Sequence, residues 1–245
     1  MNDYASIASQ ITIWLANEVK KAGASGLIIG ISGGIDSALV GALAKKAFPD
    51  NCLGVIMPCD SDPADIVDAK FVAEHLQLPY VVVDLAGPYA QLVQELTKGI
   101  GKAPQGLALN NIKPRLRMIT LYSLAATHNY LVAGTGNRSE AYIGYFTKYG
   151  DGGTDLWPIV GLVKGQVRGL ADFLGVPEKI VNREPSAGLW PGQTDEKEMG
   201  LTYEELDRYL LTKEGPEAVK SKIEILHNKS AHKRALPPSP EIKWE

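Results

Sequence analysis

Short apolar runs alternate with amphipathic stretches along this chain, a pattern that indicates strands and helices in turn. The apolar runs predict strands over residues 27–31 (LIIGI), 53–57 (LGVIM), 80–83 (YVVV) and 131–134 (LVAG). Helical periodicity predicts helices over 37–48, from 62 onward, over 88–98, over 114–127, over 164–174 and from 202 onward. Strands that alternate with helices are typical of a parallel sheet. The sequence therefore predicts an α/β fold with helices on both faces of the sheet.

Capping residues mark several helix ends. Asp62 has the type and position of an N-cap, and a proline follows it at the first helical position. Gly99 and Gly175 are expected to close the helices that precede them, because glycine adopts the left-handed conformation at a helix C-terminus. Thr202 and Glu205 have the spacing of a capping box, which predicts another helix from that point.

Three segments lack periodicity. Residues 99–112 and 183–200 are rich in Gly, Pro, Gln and Asn, and residues 231–245 look like an irregular tail. Loops of this length in a compact domain are usually either functional lids or disordered. For residues 183–200, which carry Ser186, Gln193, Thr194, Asp195 and Glu196, we expect a mobile lid that orders over a bound ligand and excludes water. No internal repeat and no linker divides the chain, so we expect one domain over residues 1–245.

Composition excludes several classes of protein. The 245 residues carry a net charge of −3, whereas a nucleic-acid-binding surface would need a basic patch. No apolar run approaches the roughly 20 residues that span a bilayer, and the N-terminal stretch has the pattern of an amphipathic helix and not of a signal peptide. Cys52 and Cys59 lack the spacing of a zinc or redox motif. We expect a cytoplasmic protein with neither a membrane nor a nucleic acid as partner.

The strongest chemical signal is the loop Ser32–Ser37 (SGGIDS), between a buried strand and a helix. Gly33 and Gly34 allow positive φ angles, so that successive N–H groups can point into one concavity. The helix that follows adds its free N–H groups, and Asp36 puts a carboxylate where Mg²⁺ would bridge phosphate oxygens. The spacing fits neither a Walker A loop nor G-x-G-x-x-G. The loop predicts a phosphate site; a glycine-rich turn without a ligand is the alternative.

A second charged block, over residues 134–155, follows the last predicted strand. It combines Glu140, Lys148, Asp151 and Asp155 with several glycines (GTGNRSE, then GYFTKYGDGGTD). Ligands bind beyond the carboxyl ends of strands in open α/β sheets, so this block predicts a second part of a binding site. A solvated acidic loop is the alternative.

These motifs resemble known families. SGGIDS resembles the pyrophosphate-binding loop of the ATP pyrophosphatase superfamily, whose members cleave ATP between the α and β phosphates. The 134–155 block resembles the signature of the NAD synthetase family, and the similarity extends from about residue 5 to 240. Further matching segments are 111–118 (NIKPRLRM), 184–190 (EPSAGLW), 193–196 (QTDE) and 232–234 (HKR). The resemblance implies a Rossmann-like sheet of the ATP pyrophosphatase type. It also implies amidation of deamido-NAD by ammonia, with ATP as co-substrate, through a deamido-NAD adenylate to NAD, AMP and diphosphate.

The resemblance also implies roles for individual residues. The ATP site would be formed by Gly30, Ile31, Ser32, Gly33, Gly34, Ile35, Asp36, Ser37, Thr135, Lys164 and Ser186. The deamido-NAD site would be formed by Arg115, Lys148, Asp155, His232 and Lys233. Asp36 and Glu140 would hold Mg²⁺, which suits a hard cation that also binds phosphate.

Three of these residues are expected to be catalytic. Asp36 would act through the metal, and Lys164 would neutralise the charge that develops as pyrophosphate leaves. Asp151 would hold ammonium or accept its proton. Two departures from the family pattern, Pro114 and Ser186, leave the expected activity intact, since Pro114 fits the first turn of a helix and Ser186 keeps a hydroxyl.

Glutamine-dependent members of the family carry an additional N-terminal amidase domain. This chain begins shortly before its first predicted strand, so we expect no glutaminase domain and free ammonia as nitrogen source, unless a separate glutaminase delivers it.

The predicted helix 114–127 suggests an oligomer. Its apolar residues, among them Leu116, Ile119, Leu121 and Leu124, are spread over more than one face, and a helix on the outside of a sheet needs only one. We therefore expect a homodimer with deamido-NAD near the interface. The alternative is a helix buried between the sheet and the C-terminal segment.

Two other functions are compatible with parts of the pattern. Another amide-forming ATP pyrophosphatase, such as a GMP synthetase core, would share the SGGIDS loop but not the GYFTKYGDGG block. A nucleotide-binding module of the universal-stress-protein type would share the sheet, but it would not need Asp36, Glu140 and Lys164 together.

Overall fold

A parallel β-sheet forms the centre of the molecule. The computed structural model of the chain describes residues 3–190 and 192–242. Over those residues the sheet has the strand order β3-β2-β1-β4, with every pair parallel. The strands are β1 Gly26–Gly30, β2 Cys52–Ile56, β3 Tyr80–Val82 and β4 Tyr130–Val132. Each lies at its predicted place, with ends shifted by a residue or two, so the predicted fold class is confirmed.

Helices connect the strands and extend the chain beyond the sheet. In the described residues they are α1 Tyr4–Lys21, α2 Ile35–Ala47, α3 Pro63–His75, α4 Ala86–Ile100, α5 Leu107–Asn110, α6 Ile112–His128, α7 Arg138–Ile143, α8 Lys164–Phe173, α9 Glu178–Val181, α10 Asp195–Met199, α11 Tyr203–Thr212 and α12 Glu217–Lys229. A 3₁₀ turn, Ala231–Lys233, follows α12. None of these helices is long and apolar enough to cross a bilayer.

Successive residues of the central strand point to opposite faces and enter different cores. Leu27 and Ile29 pack in a core with apolar residues of α1, α2 and α8, whereas Ile28 packs in a second core with residues of β2, β4 and α6. The strand is therefore apolar on both faces, as expected for a sheet covered by helices on both sides. A third core lies beyond the sheet and joins α7, α11 and α12.

The capping predictions have mixed outcomes. Asp62 accepts a hydrogen bond from the Ala64 N–H, and the capping box at Thr202 is present. Gly175 has a φ of +77° directly after α8, as predicted. Gly99 does not close its helix: α4 continues to Ile100, and Gly101 takes the left-handed conformation with a φ of +72°. Both glycines can adopt the left-handed conformation at little cost, so the residue type alone does not decide which of the two ends the helix.

The segments without periodicity are partly ordered into short elements. Residues 99–112 contain the end of α4, the single turn of α5 and the start of α6, and residues 183–200 contain α10. Helix α2 begins two residues before its predicted start, so that Ser37 lies within its first turn. In the predicted tail, the 3₁₀ turn is followed by irregular chain to residue 242, and residues 243–245 lie outside the described residues.

Candidate active site

A cavity of about 620 Å³ opens at the carboxyl ends of the strands. Its walls come from the loops after β1, β2 and β4, from the first turns of α6, from residues 183–189 with Gln193, Asp195 and Glu198, and from residues 232–233. Parallel strands leave such a crevice where the chain turns away from the sheet edge, which is why ligands bind there. The predicted phosphate loop and the charged block meet in this one cavity.

The phosphate loop owes its shape to Gly33. This residue has a φ of +84°, and a Cβ atom there would lie 2.9 Å from the backbone oxygen of Asp65 and from the backbone nitrogen of Ala69. Helix α3 therefore packs so closely on the loop that only glycine fits. Ser37 Oγ donates to the Gly34 carbonyl at 2.9 Å, which fixes the turn. Helix α2 begins at Gly34 without a side-chain cap, and this leaves its first N–H groups to bind an anion.

Lys164 lies at the centre of the site, between two carboxylates. Its Nζ is 2.5 Å from Asp36 Oδ2 and 3.3 Å from Glu140 Oε1, and the whole residue is 2% exposed. Asn137 donates from Nδ2 to the other oxygen of Asp36 at 2.9 Å and forms a capping box with Glu140. Three elements, α2, α7 and α8, thus bring one ammonium and two carboxylates together.

Burial and neighbouring charges shift the pKa values of this cluster. Burial raises the pKa of Glu140 to about 7, with a further increase from the Asp36 charge and a partial decrease from Lys164. Burial alone would lower the pKa of Lys164, but the charges of Asp36 and Glu140 outweigh it and the pKa of the amine is raised. Lys164 is therefore a fixed cation, and the negative charge around it exceeds its own.

Tyr203 and Asp195 are further neighbours of Lys164 and Glu140, and the sequence analysis assigned neither to the site. Tyr203 Oη lies 2.8 Å from Asp195 Oδ2 and 3.2 Å from Glu140 Oε1, and its ring lies under the Lys164 ammonium at 4.9 Å. Burial raises the pKa of the Asp195 carboxyl, and hydrogen bonds from tyrosines partly oppose it. The capping box at Thr202 predicted the helix that carries Tyr203, but no local signal indicates which way the side chain points.

Four of the predicted substrate-binding residues line the other end of the cavity: Arg115, Lys148, His232 and Lys233. Arg115 donates to the Lys148 carbonyl at 3.2 Å, and Lys148 Nζ donates to the His232 carbonyl at 2.6 Å. Lys233 donates to the carbonyls of Gly144 and Phe146. These hydrogen bonds attach residues 232–233, in the C-terminal basic stretch, to the charged block over residues 134–155.

Asp151 lies among these cations. It lines the cavity, where solvent reaches it, and its Oδ1 accepts a hydrogen bond from the Thr147 N–H at 2.8 Å. The surrounding protein raises the pKa of the Asp151 carboxyl, while backbone hydrogen bonds and the charge of Lys233 oppose that shift. A carboxylate in this position attracts a small cation that enters the cavity.

Asp155 is the predicted site residue that the fold uses differently. Its Oδ2 accepts from the Val132 N–H at 2.8 Å and its Oδ1 accepts from Tyr122 Oη at 3.0 Å, outside the residues that line the cavity. Burial and the Asp155 charge raise the pKa of Tyr122 to about 12. Asp155 would reach a substrate only after it releases one of these bonds.

Most of the predicted ATP-site residues line the cavity: Gly30, Ile31, Ser32, Gly34, Ile35, Asp36, Ser37, Thr135, Lys164 and Ser186. The exception is Gly33, which lies behind the cavity wall.

Comparisons with known proteins identify the family of this chain. The NAD synthase family model matches residues 7–237. The chain belongs to the NAD synthase family. An NH(3)-dependent NAD(+) synthetase from Carboxydothermus hydrogenoformans is 56% identical over 229 residues, which are 94% of each chain.

Solved structures of similar proteins share the whole fold. An NMN synthetase from Francisella tularensis has a TM-score of 0.93 at 37% identity, over 99% of this chain and 100% of its own. An NH3-dependent NAD synthetase from Campylobacter jejuni has a TM-score of 0.80 at 29% identity, over 98% of this chain and 100% of its own.

Sequence reasoning missed Arg183 at this NAD synthase site, and it expected Arg117, at the start of the predicted helix 114–127, to project toward a neighbouring subunit's ligand. Arg117 lines the cavity and donates to the Met57 carbonyl and to Ser61 Oγ, each at 3.2 Å, which holds the β2–α3 loop. Arg183 also lines the cavity and pairs with Asp65 and Asp68 of α3. Arg117 was visible within the family-like segment 111–118, but a lone arginine carries no signal of its partner.

No group of three or more His, Cys, Asp or Glu side chains that could hold a metal ion occurs in the part of the NAD synthase chain that the structure describes. Asp36 and Glu140 are both present at the cavity and share the Lys164 ammonium. Their donor chemistry fits Mg²⁺, which usually takes one or two carboxylates and completes its coordination with phosphate oxygens and water.

Proposed function

We propose that this chain uses ATP and ammonia to convert the nicotinate carboxylate of deamido-NAD into the amide, giving NAD, AMP and diphosphate through a deamido-NAD adenylate. The observation that supports it most is Lys164, held between Asp36 and Glu140 at the mouth of the SGGIDS loop. A buried cation beside uncapped N–H groups is suited to a leaving pyrophosphate. The names of the curated relatives support the same reaction.

In this mechanism ATP binds with its phosphates on the SGGIDS loop. The free N–H groups at the start of α2 and the hydroxyls of Ser32 and Ser37 hold phosphate oxygens. Thr135 and Ser186 contribute further hydroxyls from opposite walls of the cavity. Lys164 compensates the charge that moves onto the leaving pyrophosphate when the substrate carboxylate attacks the α-phosphorus.

Asp36 and Glu140 are the residues that would hold Mg²⁺. With Asp195 they place three carboxylates around one ammonium, so that the pocket carries excess negative charge which a divalent cation offsets. Mg²⁺ supplies a Lewis acid that neutralises phosphate charge when it is bound. The protein residues in turn fix its position relative to Lys164.

Deamido-NAD would occupy the end of the cavity opposite the phosphate loop. Arg115, Lys148, His232 and Lys233 form its cationic wall and suit a ligand that carries a carboxylate and a diphosphate. Asp155 stays a prediction at this end. Asp151 would hold ammonium by charge and then take up a proton as the nitrogen attacks the adenylate, since ammonium is unreactive until it is deprotonated.

The assembly we propose is a homodimer of single-domain chains. Helix α4 buries none of its residues completely, and the outer face of α4 and α6 exposes Leu92 and Ile119. We call this the α4–α6 face. A second copy of the chain would cover it by the two-fold contact that most homodimers use.

We also place the reaction in the cytoplasm, where two buried, free thiols, Cys52 and Cys59, stay reduced.

The test is a complete product balance. Purified protein is incubated with ATP, Mg²⁺, ammonium and deamido-NAD, and NAD, AMP and diphosphate are quantified. We expect equal amounts of all three, and no NAD when glutamine replaces ammonium in ammonia-free buffer. Nucleotide binding without AMP release would reject the enzyme, and NAD formation from glutamine would reject the assignment of the nitrogen donor.

A second candidate substrate is nicotinate mononucleotide. The TM-score of 0.93 with the Francisella tularensis NMN synthetase favours it, because that enzyme's fold agrees with this chain along its entire length. The ratio of kcat/KM for deamido-NAD to kcat/KM for the mononucleotide decides between the two. A ratio above one supports NAD formation, and a ratio below one assigns NMN formation instead.

A further inference from the structure

One face of α11 points at the catalytic cluster. Tyr203, Asp207 and Leu210 are spaced as i, i+4 and i+7, so that they share a side of the helix. Tyr203 reaches Glu140, and the Leu210 carbonyl accepts from Arg138 at the start of α7. The middle residue of this face, Asp207, reaches α8.

Asp207 accepts three hydrogen bonds from two different elements. Its Oδ2 accepts from the Gly165 N–H at 2.7 Å, and its Oδ1 accepts from the Lys164 N–H at 3.3 Å and from Ser139 Oγ at 2.5 Å. Lys164 N also donates to Ser139 Oγ at 3.2 Å, which closes the triangle. A single carboxylate thus holds the backbone of Lys164 and the residue next to Glu140.

Helix α8 needs such a partner because its own sequence provides no cap. Its N-cap position is Val163, whose side chain has no acceptor, and Gln166 serves only the Val163 N–H. Free N–H groups and the positive end of the helix dipole favour a carboxylate at this point. Asp207 supplies it from a helix 42 residues further along the chain.

We propose that Asp207 is a positioning residue for Lys164 and Glu140. It is absent from the cavity wall, so it acts through the groups it fixes and touches no substrate. Because Asp207 fixes the first N–H groups of α8, the Lys164 side chain extends to Asp36 and Glu140 in one geometry. The kinetic test of this inference rests on the proposed function. Its structural test, which is the position of Lys164 Nζ in a variant, does not.

The experiment compares Asp207→Asn with Glu204→Gln. The first keeps the size of the side chain but replaces one of the two acceptor oxygens with a donor NH2 group, so that it cannot accept from Gly165 on one oxygen and from Lys164 and Ser139 on the other. The second removes an exposed charge on the same helix, whose one ion pair among the described residues is with Arg208. We expect Asp207→Asn to lower kcat roughly tenfold or more, because small displacements of a catalytic group are costly. The KM for deamido-NAD should stay unchanged, and Glu204→Gln should match the wild type in both constants.

Ser139→Ala is the second variant, and it serves if Asp207→Asn does not fold. It removes one arm of the triangle and should lower kcat by a smaller factor, again at constant KM. Wild-type kcat in both variants, or a change in melting temperature alone, overturns the inference. If the wild type forms no amide product, the proposed function fails separately. Crystal structures then decide: Lys164 Nζ unmoved between Asp36 and Glu140 in Asp207→Asn overturns the positioning role.

Discussion

Lys164 is a buried ammonium whose charge is stabilised by neighbouring groups of the fold. An isolated ammonium in the interior would lose its proton or destabilise the fold, whereas this one has Asp36 and Glu140 as partners and the ring of Tyr203 beneath it. Burial also disfavours the charged form of the Glu140 carboxyl, and it raises the pKa of Glu140 to about 7. The Lys164 ammonium and its two carboxylate partners stabilise one another, so the removal of one charge changes the electrostatic energy of the other two.

We expect Asp36→Asn to lower turnover at least about 100-fold, the usual effect of removing one preorganised electrostatic group. The variant should keep its circular dichroism spectrum, since Lys164 retains Glu140 as a partner. The measurement is kcat at saturating ATP over a series of Mg²⁺ concentrations. Asp50→Asn, at an exposed carboxylate, is the matched control. Near-normal activity of Asp36→Asn at ordinary Mg²⁺ would contradict the proposed metal and phosphate site.

Asp151 allows a separate prediction about ammonia. Replacement by Asn keeps the acceptor for the Thr147 N–H but removes the charge that attracts ammonium. The KM for ammonium should rise at least about tenfold, because a hydrogen bond to a charged group contributes roughly 1.5–3 kcal/mol. The KM for ATP should not change. Steady-state kinetics with each substrate varied in turn tests this, and equal effects on both KM values would remove Asp151 from the ammonia site.

At the scale of elements, the segment 183–200 is the predicted lid. The structure anchors both of its ends: Arg183 pairs with Asp65 and Asp68 of α3, and Asp195 accepts from Tyr203. Pro191 lies outside the described residues. Between the anchors, residues 184–189 line the cavity, and the Leu189 carbonyl accepts a hydrogen bond from Lys113. The mobility of this segment stays a prediction, and it applies to the part between the anchors.

Lys113 offers a test of the lid. Its buried ammonium donates to the Leu189 carbonyl at 3.1 Å and contacts Asp60 at 3.3 Å. Lys113→Met keeps much of the side-chain length and removes the bond to residues 184–190. We expect these residues to exchange amide hydrogens faster in the variant with ATP and deamido-NAD bound. The AMP released should then exceed the NAD formed, because water reaches the adenylate.

Two outcomes would count against this account of the lid. Equal exchange of residues 184–190 in the wild type with and without ligands contradicts a segment that orders on binding. An AMP to NAD ratio of one in Lys113→Met contradicts a role of the segment in water exclusion. Lys98→Met serves as control, since this exposed lysine pairs only with Glu95 at one turn's distance on α4.

At the scale of the whole molecule, the apolar surface is uneven. Leu116, Leu121 and Leu124 of α6 pack against the core under the sheet, so the apparent surplus on this helix is partly core. Ile119 of α6 is 59% exposed, and Leu92 is exposed on α4, a helix that buries none of its residues completely. The homodimer that would cover these side chains stays a prediction.

Ile119→Glu tests the homodimer without disturbing the core. A charge on the α4–α6 face should shift the mass in solution from dimer to monomer and lower the rate with deamido-NAD, since Arg115 lies in the first turn of the same helix. Ile13→Glu on α1 is the matched control, because Ile13 is also 59% exposed. Light scattering and activity are measured on the same samples. A folded monomer of Ile119→Glu with full turnover would show that the dimer adds nothing to the site.

Local features could be predicted from the amino-acid sequence: the alternation of strands and helices, the cap at Asp62, and the residue types of the phosphate loop. Periodicity and capping depend on neighbours a few positions apart. The reason why Gly33 must be glycine lies in the packing of the fold, since the backbone of α3 packs against it. The same holds for Asp155, which the fold bonds to Val132, and for Asp207, which caps a helix that has no cap of its own. Lys164 meets Asp36 across 128 positions of sequence, and no local pattern encodes such a contact. It follows instead from how the helices pack on the sheet.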